Sequence, residues 1–405
     1  MKRNPVDGSP SELRAALAEI AASRLWRERQ TVEFPEPGSR VATAIGATSL
    51  IDFSSNDYLG LARHPDVAAQ MAACAHRSGA GSGASHLITG HGLEHARLEE
   101  ELAAFTGRER ALLFSTGYMA NLAVLTSLAA RTELVLLDRL DHASLIDAGL
   151  LSGARFKRYA HADSAAAESA LAGNSNTATV LATDGVFSMD GDVAPLPALA
   201  RACITHGVWL VVDDAHGLGV LGSNGGGSVD HFGLDSQAVP VLIGTLGKAF
   251  GSFGAFVAGS AELIELLINK ARTYIYTTAL PQPVAAASRK ALQLVQRESW
   301  RRERVLALAA RFRAAAAQLD IPLANSSHPI TPIQPLLLGS SEAAVRAQHE
   351  LRAAGFLVVA IRPPTVPEGS ARLRVTLSAA HTESQVDALV EALSHTCARH
   401  TLVCS

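Results

Sequence analysis

The sequence predicts an α/β protein with a mostly parallel, doubly wound sheet and a smaller C-terminal α+β domain. From about residue 65, helical stretches alternate with short runs rich in Val, Leu and Ile, which is typical of buried parallel strands. The chain has 405 residues, of which 48% are hydrophobic, so it can form a large core and two or three domains. Around Pro281-Gln282-Pro283 the chain changes to long helical stretches and then to a compact mixed tail.

We expect three parts: an N-terminal helix and bridging segment (1–50), a large domain (51–283) and a C-terminal domain (284–405). The first helix begins near Pro10, since proline is favoured at the first helical position. In the large domain the expected helices are His91–Thr106, Asn121–Ala130, Asp163–Leu171, Leu196–His206 and Ala261–Ile268. The expected strands there are Ala111–Phe114, Leu134–Leu137, Thr179–Ala182, Val208–Val212 and Val239–Ile243.

The C-terminal part is expected to be helical to about Asp320, and its basic run Arg301-Arg302-Glu303-Arg304 to lie on a solvated helix face. The tail then reads as strand, helix, strand, strand and helix: Ile333–Leu338, Glu342–Ala354, Phe356–Ala360, Ala371–Leu377 and Thr382–Ser394.

Composition and charge argue against several classes of function. The net charge of −3 gives no indication of nucleic-acid or anionic-membrane binding. No run reaches about 18 apolar residues and the first residues lack a signal-peptide pattern, so we expect no membrane span and a cytoplasmic location. The cysteines form no C-x-x-C pair, so we expect no metal site.

Polar motifs follow five of the predicted strands where each strand ends. In an open parallel sheet, ligands bind beyond the carboxyl ends of the strands, so these motifs are expected to converge on one site. They are Ser115-Thr116-Gly117-Tyr118, Asp141-His142-Ala143-Ser144, Thr183-Asp184 with Ser188, Asp213 with His216, and Thr245 with Lys248.

Lys248 and Asp213 together indicate pyridoxal 5′-phosphate (PLP) chemistry. Lys248 lies in a turn of small residues, 35 positions after Asp213, which ends an apolar run. A lysine can hold an aldehyde cofactor as a Schiff base, and an aspartate can keep the pyridine nitrogen protonated. Taken alone, each residue has an ordinary explanation, a surface lysine or a capping aspartate, but the joint pattern favours the cofactor.

The remaining motifs fit the same cofactor. Backbone N–H groups of Gly117 and Tyr118, at a helix start, can hold a phosphate. His142 can lie against the pyridine ring, and His216 can hydrogen-bond to the ring hydroxyl. A polar histidine with a structural role is the ordinary alternative for His142.

The chain resembles the α-oxoamine synthases, fold-type-I PLP enzymes that join an amino acid to an acyl-CoA thioester with loss of CO2. The resemblance extends from about Ser9 to about Leu393. The motifs that carry it are Phe53-Ser-Ser-Asn56-Asp57-Tyr58-Leu59-Gly60, Gly81-Ser-Gly-Ala-Ser85, Asp141-His142-Ala-Ser-Leu145, Asp184-Gly-Val-Phe-Ser188-Met-Asp-Gly191, Asp213-Asp-Ala-His216 and Thr245-Leu-Gly-Lys248.

The resemblance implies a role for each matching residue. Lys248 binds PLP and is catalytic together with His142 and Asp213. The cofactor-binding positions are Gly117, Tyr118, His142, Ser188, Asp213, His216, Thr245 and Lys248. The substrate-binding positions are Arg27, Asn56, His142, Arg362 and Thr365. Thr277 or Thr278 reaches the phosphate of the neighbouring subunit, which implies a homodimer with shared active sites.

The tail from Ala360 to His381 resembles the branch that condenses L-alanine with pimeloyl-CoA or a pimeloyl carrier protein for biotin synthesis. The alternatives are a glycine-using synthase of the same family and, from another class, a PLP aminotransferase or lyase of the same fold. Two positions depart from the family pattern. Asp184 stands where some relatives carry glutamate, and His86-Leu87 replaces the more usual pair after the glycine-rich loop.

Overall fold

The structure, a computed structural model, describes residues 10–22, 26–27, 29–34, 41–46, 48–174, 177–324 and 328–399. In these ranges the strands are β1 (Ala42–Ile45), β2 (Thr48–Asp52), β3 (Arg110–Phe114), β4 (Leu134–Asp138), β5 (Arg155–Tyr159), β6 (Ala178–Asp184), β7 (Trp209–Asp213), β8 (Val241–Thr245), β9 (Ala255–Gly259), β10 (Ile333–Gly339), β11 (Phe356–Leu357), β12 (Val359–Ile361) and β13 (Ala371–Thr376).

The helices of the same ranges alternate with these strands, and a π-helical turn spans His86–Gly90. They are α1 (Pro10–Ala22), α2 (Pro65–Ser78), α3 (Leu93–Thr106), α4 (Gly117–Leu128), α5 (Ala143–Ser152), α6 (Ser164–Ala172), α7 (Leu196–His206), α8 (Gly227–His231), α9 (Ala261–Lys270), α10 (Arg272–Ile275), α11 (Gln282–Arg297), α12 (Trp300–Gln318), α13 (Ser341–Ala353) and α14 (Glu383–Arg399).

The central sheet has seven strands in the order β3-β9-β8-β7-β6-β4-β5. Strands β8, β7, β6, β4 and β5 run parallel to one another. Strand β9 pairs antiparallel with both β3 and β8. The inner strands are buried along almost their whole length, because helices cover both faces of the sheet. The predicted α/β class with a mostly parallel sheet is therefore confirmed.

Two strands of this sheet were not predicted. Strand β5 has the sequence Arg-Phe-Lys-Arg-Tyr and is mostly exposed at the edge of the sheet, so it lacks the apolar run of an inner strand. Strand β9 is buried but is only five residues long and consists of small residues around Phe256 and Val257, so its apolar run is weak.

Several predicted element boundaries were wrong. Helix α4 begins at Gly117 rather than at Asn121, and Gly117 and Tyr118 lie in its first turn, at a helix start as expected from their motif. The predicted helical stretch to Asp320 is two helices, with a break at Glu298-Ser299. The predicted strand Phe356–Ala360 is divided between β11 and β12, which belong to different sheets.

The C-terminal part of the chain contacts both the large domain, at Phe53, and the N-terminal segment, at β2. Strands β10, β13 and β12 form one antiparallel sheet, while β11 pairs with β2 beside β1. The amide of Thr376 donates to the carbonyl of Phe53, and the Phe53 ring stacks on His381 with centroids 4.0 Å apart. The domain boundaries at residues 50 and 283 stay predictions.

Within the described residues, no helix is both long enough and apolar enough to cross a membrane.

Only half of the basic run at the start of α12 is solvated: Glu303 and Arg304 are exposed as predicted, but Arg301 and Arg302 are buried. Arg301 and Arg302 are only 4% and 6% exposed. Arg301 donates to the carbonyl of Leu59, and Arg302 donates to the carbonyls of Val295 and Ser223. These guanidinium groups satisfy the carbonyls of Leu59 and Val295, which would otherwise be left unpaired inside the protein.

We predict that Arg302→Ala lowers the free energy of unfolding by about 1–3 kcal/mol, because the buried carbonyl of Val295 loses its guanidinium donor and the carbonyl of Ser223 loses the same partner. The measurement is urea denaturation of the purified protein. The control is Arg346→Ala, at an exposed position of α13, where we expect a change within about 0.5 kcal/mol. Equal effects of the two substitutions would contradict the structural role of Arg302.

Candidate active site

A pocket of about 200 Å³ lies beyond the carboxyl ends of the central strands, where the sequence predicted convergence. Its lining includes eight residues predicted to contact the cofactor: Gly117, Tyr118, His142, Ser188, Asp213, His216, Thr245 and Lys248. Ser144, Asp184 and Ala215 complete the lining.

Lys248 follows β8 in a tight turn, and its side chain is half-buried where it lines the pocket. Its Nζ lies 2.7 Å from Nε2 of His216. Burial lowers the pKa of Lys248 to about 8, although the nearby carboxylates of Asp213 and Asp184 oppose this shift. A substantial fraction of the amine is therefore free base near neutral to mildly basic pH, the form that can act as a nucleophile or a base.

His216 is a neutral imidazole held from both sides. Burial, together with the nearby charges of Lys248 and Arg374, lowers its pKa well below the ordinary value for histidine. Its Nδ1 lies 2.6 Å from the hydroxyl oxygen of Tyr58. Tyr58 is completely buried, and this burial raises its pKa. The sequence analysis did not assign Tyr58 a role.

Asp213 is the last residue of β7, and its carboxylate is fixed in direction. Its Oδ2 accepts from Nδ2 of Asn121 at 2.6 Å, and its Oδ1 accepts from the amide of Ala215 at 3.1 Å. The side chain of Asn121 also donates to Ser144, whose Oγ lies 2.7 Å from Nδ1 of His142. A continuous hydrogen-bonded network thus joins Asp213 to His142. The sequence analysis missed Asn121, which is buried inside α4.

His142 immediately precedes α5 and is held by its backbone as well as by Ser144. Its amide donates to Oδ2 of Asp184 at 3.1 Å, and the amide of Asp184 donates to Oδ1 of Asp141 at 2.9 Å. Burial and the nearby carboxylate of Asp213 raise the pKa of Asp184. The side chain of Asp184 thus reaches a polar partner, although it is shorter than the glutamate that some relatives carry at this position.

Asp214 lies behind Asp213 in a space that only glycine neighbours leave open. A Cβ atom on Gly227, whose φ is +86°, would lie 1.9 Å from Oδ2 of Asp214, and one on Gly217 would lie 2.2 Å from Oδ1. Oδ2 accepts from the amide of Ser228 at 2.6 Å. Asp214 thereby ties the loop before α8 to the strand end that carries Asp213.

The first turn of α4 presents backbone amides to the pocket. Thr116 caps this helix, since its Oγ1 accepts from the amide of Met119 at 3.2 Å. The first amides of a helix have no carbonyl partner within the helix, so those of Gly117 and Tyr118 can bind an anion.

Asn56 and Arg374 lie next to Tyr58, on the side of the pocket where Tyr58 contacts His216. Both terminal nitrogens of Arg374 lie 3.1 Å from Oδ1 of Asn56, and its Nε donates to the carbonyl of Ser188 at 2.6 Å. Arg374 is buried and carries a positive charge close enough to affect His216 and Lys248. It belongs to the quoted tail motif, but the sequence analysis gave it no role.

The other predicted substrate residues lie in a separate cleft of about 640 Å³. Nη2 of Arg27 is 3.3 Å from Oγ1 of Thr365, and Nη2 of Arg362 is 3.4 Å from the carbonyl of Trp26. Val359, which also lines this cleft, pairs across the β12–β13 ladder with Arg374. Because Val359 on β12 lines the cleft and Arg374 on the adjacent β13 contacts Asn56, the cleft and the Asn56 side of the pocket lie on neighbouring strands.

Thr277 and Thr278 do not line the Lys248 pocket of their own chain. Thr278 is exposed and pairs with Ser85 in an isolated bridge. His86 is buried and stacks on Tyr274, while Leu87 is half exposed; neither lines the pocket or the cleft.

The donor set of the pocket fits PLP. A carboxylate fixed by Asn121 can face a pyridinium nitrogen, a lysine amine is available for the aldehyde, and helix amides are available for the phosphate. The imidazole of His142 lines the same small pocket and can shield one face of a flat ring.

This fold and this pocket define a PLP-dependent enzyme of fold type I. The family of class I and II aminotransferases matches residues 48–393. Two curated 8-amino-7-oxononanoate synthases are similar over nearly full length. The one from Thioalkalivibrio sulfidiphilus is 58% identical over 94% of this chain and 96% of its own length. The one from Methylococcus capsulatus is 57% identical over 94% and 97%. The chain belongs to the 8-amino-7-oxononanoate synthase family.

Solved structures agree with this assignment. A serine palmitoyltransferase from S. paucimobilis with bound PLP-myriocin aldimine matches 96% of this chain and 98% of its own, with a TM-score of 0.89 and 27% identity. An 8-amino-7-oxononanoate synthase from Francisella tularensis matches 87% of this chain and 99% of its own, with a TM-score of 0.77 and 30% identity. The family resemblance and the PLP cofactor predicted from the sequence are confirmed.

We predict that Asn121→Ala raises the dissociation constant for PLP about tenfold, because Asp213 loses a charge-assisted hydrogen bond that fixes its direction. The measurement is equilibrium titration of the apoprotein with PLP, followed by absorbance. The control is Ser127→Ala, a buried polar position on the same helix, which should leave the constant unchanged. Equal constants for Asn121→Ala and the wild type would show that this contact does not orient Asp213.

Proposed function

We propose that this chain condenses L-alanine with a pimeloyl thioester to give 8-amino-7-oxononanoate, CO2 and a free thiol, a step of biotin synthesis. A carbon–carbon bond forms between Cα of alanine and the acyl carbonyl carbon. The carbon–sulfur bond and the bond from Cα to the carboxylate break. The observation that carries the proposal is the Lys248 amine buried in one pocket with Asp213 and His142, in a chain 58% identical to a curated synthase.

Lys248 is proposed to bind PLP and to move the proton of the substrate. When bound, PLP supplies an acceptor for the electron pair that Cα retains after losing a proton or CO2. With a pKa of about 8, Nζ of Lys248 can accept a proton from Cα and return one to it after CO2 has left.

Asp213 and His142 are proposed to hold the cofactor in its reactive orientation. The Asp213 carboxylate can keep the ring nitrogen protonated through a charge-assisted hydrogen bond, and Asn121 fixes the carboxylate for that contact. Burial lowers the pKa of His142, so it is a neutral imidazole that can lie against the ring without adding charge.

The carboxylate of the amino acid is proposed to bind at the Asn56 side of the pocket. Arg374 offers a buried cation there, and an arginine can hold a carboxylate through two hydrogen bonds. Arg362, which was predicted from the sequence to bind the substrate carboxylate, lies in the cleft with Arg27 and stays a predicted substrate contact.

The cleft is proposed to take the pimeloyl chain. One part of its wall is apolar, with Val32, Ile45, Leu357 and Val359, and suits a run of methylene groups. Arg27 lies in the same cleft beside Thr365, where a guanidinium group can bind the distal carboxylate of a dicarboxylic acyl chain.

We also propose a homodimer in which Thr277 or Thr278 completes the phosphate site of the other subunit. These threonines lie outside their own pocket, and large apolar side chains near them are exposed. Ile88 is 75% exposed and Tyr276 is 72% exposed, as expected for a surface that another subunit covers. The cytoplasmic location stays a prediction from the sequence.

We predict thiol release from PLP-loaded protein with L-alanine and pimeloyl-CoA, and little release with glycine and acetyl-CoA. The measurement is a colorimetric thiol assay on purified protein. The Lys248→Ala variant should show only background release, because it lacks the amine that binds PLP and moves the proton. Release only with glycine and acetyl-CoA would keep the chemistry and contradict the proposed substrates.

We predict that hybrid dimers reveal the shared site. Pairing a Lys248→Ala subunit with a Thr277→Ala/Thr278→Ala subunit leaves one intact site per dimer if the threonines act across the interface. That site should bind PLP with wild-type affinity, whereas the Thr277→Ala/Thr278→Ala homodimer should bind at least about tenfold more weakly.

The control hybrid carries all three substitutions on one subunit and pairs it with a wild-type subunit. If the threonines act across the interface, this hybrid has no site of wild-type affinity. The opposite result in the two hybrids would mean that the threonines serve their own subunit.

A further inference from the structure

The hydroxyl group of Tyr58 has one proton and two possible acceptors. Its oxygen lies 2.6 Å from Nδ1 of His216 and 3.2 Å from Oδ1 of Asn56. Nη2 of Arg374 lies 3.4 Å from the same oxygen and can donate to it in either case. A hydroxyl can donate and accept at once, so Tyr58 can either donate a hydrogen bond to Nδ1 of His216 or accept one from it.

In the first arrangement, Tyr58 donates to Nδ1 of His216. The ring is neutral, so its proton is on Nε2 and points at Nζ of Lys248, 2.7 Å away. That bond needs a lone pair on Nζ, which only the free base has.

In the second arrangement, Tyr58 donates to Asn56 and accepts from the Nδ1–H of His216. Nε2 then has a lone pair that accepts from Nζ, which suits the ammonium form of Lys248. The ammonium form of Lys248 thus requires the tautomer with a lone pair on Nε2, whereas the free base, which can accept or donate, is compatible with either tautomer. The Tyr58 hydroxyl can satisfy Nδ1 of His216 in both tautomers.

We propose that Tyr58 is a positioning residue for PLP uptake: through His216 it keeps the free amine of Lys248 hydrogen-bonded in both of its protonation states, and so sets the fraction of free base that can react with the aldehyde. This proposal rests on the proposed role of Lys248 as the PLP-binding base. Asn56, as the second acceptor for Tyr58, is needed only for the ammonium form.

Other charged and titratable groups face Lys248 and His216 and set the electrostatic background. They are Asp213, Asp184, Asp214, Arg374 and His142. These groups are unchanged by removal of the Tyr58 hydroxyl, so the effect of that removal isolates the hydrogen bonds to His216.

Removing the hydroxyl should favour the free base of Lys248. In Tyr58→Phe the ammonium form would require a buried Nδ1–H without an acceptor, whereas the free base leaves only a lone pair without a donor. Unpaired buried N–H groups are the rarer and more costly of the two. We expect the pH midpoint of Lys248 to fall by about one unit, the scale of one hydrogen bond.

The experiment measures how fast the full-length apoprotein takes up PLP as a function of pH, followed by visible absorbance. Only the free base of Lys248 reacts with the aldehyde, so the midpoint of the rate profile reports its protonation. The variants are Tyr58→Phe, Asn56→Ala and the double variant. The matched control is Tyr274→Phe, which removes a hydroxyl from another buried tyrosine and should not move the midpoint.

Asn56→Ala should lower the midpoint in the presence of Tyr58 and have no further effect in the Tyr58→Phe background. This dependence separates a path through the hydroxyl from a direct effect of Asn56 or Arg374 on the lysine. If Tyr58→Phe fails to fold, the single Asn56→Ala variant must still lower the midpoint.

An unchanged midpoint in Tyr58→Phe, or an equal effect of Asn56→Ala in both backgrounds, would overturn the proposal while leaving the proposed function intact. If wild-type protein and Lys248→Ala take up PLP alike, the assignment of Lys248 itself is wrong.

Discussion

The amine of Lys248 is buried among polar groups at the carboxyl edge of the sheet, and the rest of the site is arranged around that burial. Desolvation disfavours the ammonium form, while Asp213 and Asp184 favour it, so the pKa settles at about 8. A fully solvated lysine would be protonated at neutral pH and inactive as a base. A lysine buried without carboxylates nearby would have difficulty holding the proton that it removes. The balance between burial and nearby charge therefore makes one residue able both to take a proton and to return it.

That balance requires the surrounding polar groups to be fixed, because an unpaired buried charge would destabilise the fold or move out of the pocket. Asp213 is held by Asn121, and the same amide links it through Ser144 to His142. His142 is also held through its backbone by Asp184. Each of these groups comes from a different strand end or the helix that follows it. The parallel sheet is thus what brings them within hydrogen-bonding distance, since consecutive strands deliver their carboxyl ends to one edge.

The positions of the strand ends could be predicted from the sequence, and with them Lys248, Asp213, His142 and His216, because buried parallel strands give distinct apolar runs. The partners of these residues could not. Asn121 lies within a helix, and Tyr58 and Arg374 are far from His216 along the chain, so no spacing indicates that they meet. The basic run at Arg301-Arg302 was misread for a related reason. A sequence pattern shows the charge of a side chain, but it does not show the backbone carbonyls of Leu59, Val295 and Ser223 that Arg301 and Arg302 reach.

Strand β13 shows why the C-terminal part of the chain belongs to the chemistry and not only to the fold. Alternate residues of a strand face the same side, and Arg372 and Arg374 both extend from β13 to the loop that follows β6. Arg372 contacts Asp190, and Arg374 binds the carbonyl of Ser188, a residue that lines the pocket. The neighbouring strand β12 carries Val359 and leads to Arg362 in the cleft. The β12–β13 ladder therefore sets the distance between the place proposed for the amino acid and the place proposed for the acyl chain. A shift of this ladder by one residue would turn both arginines away from the loop, because the side-chain period of a strand is two.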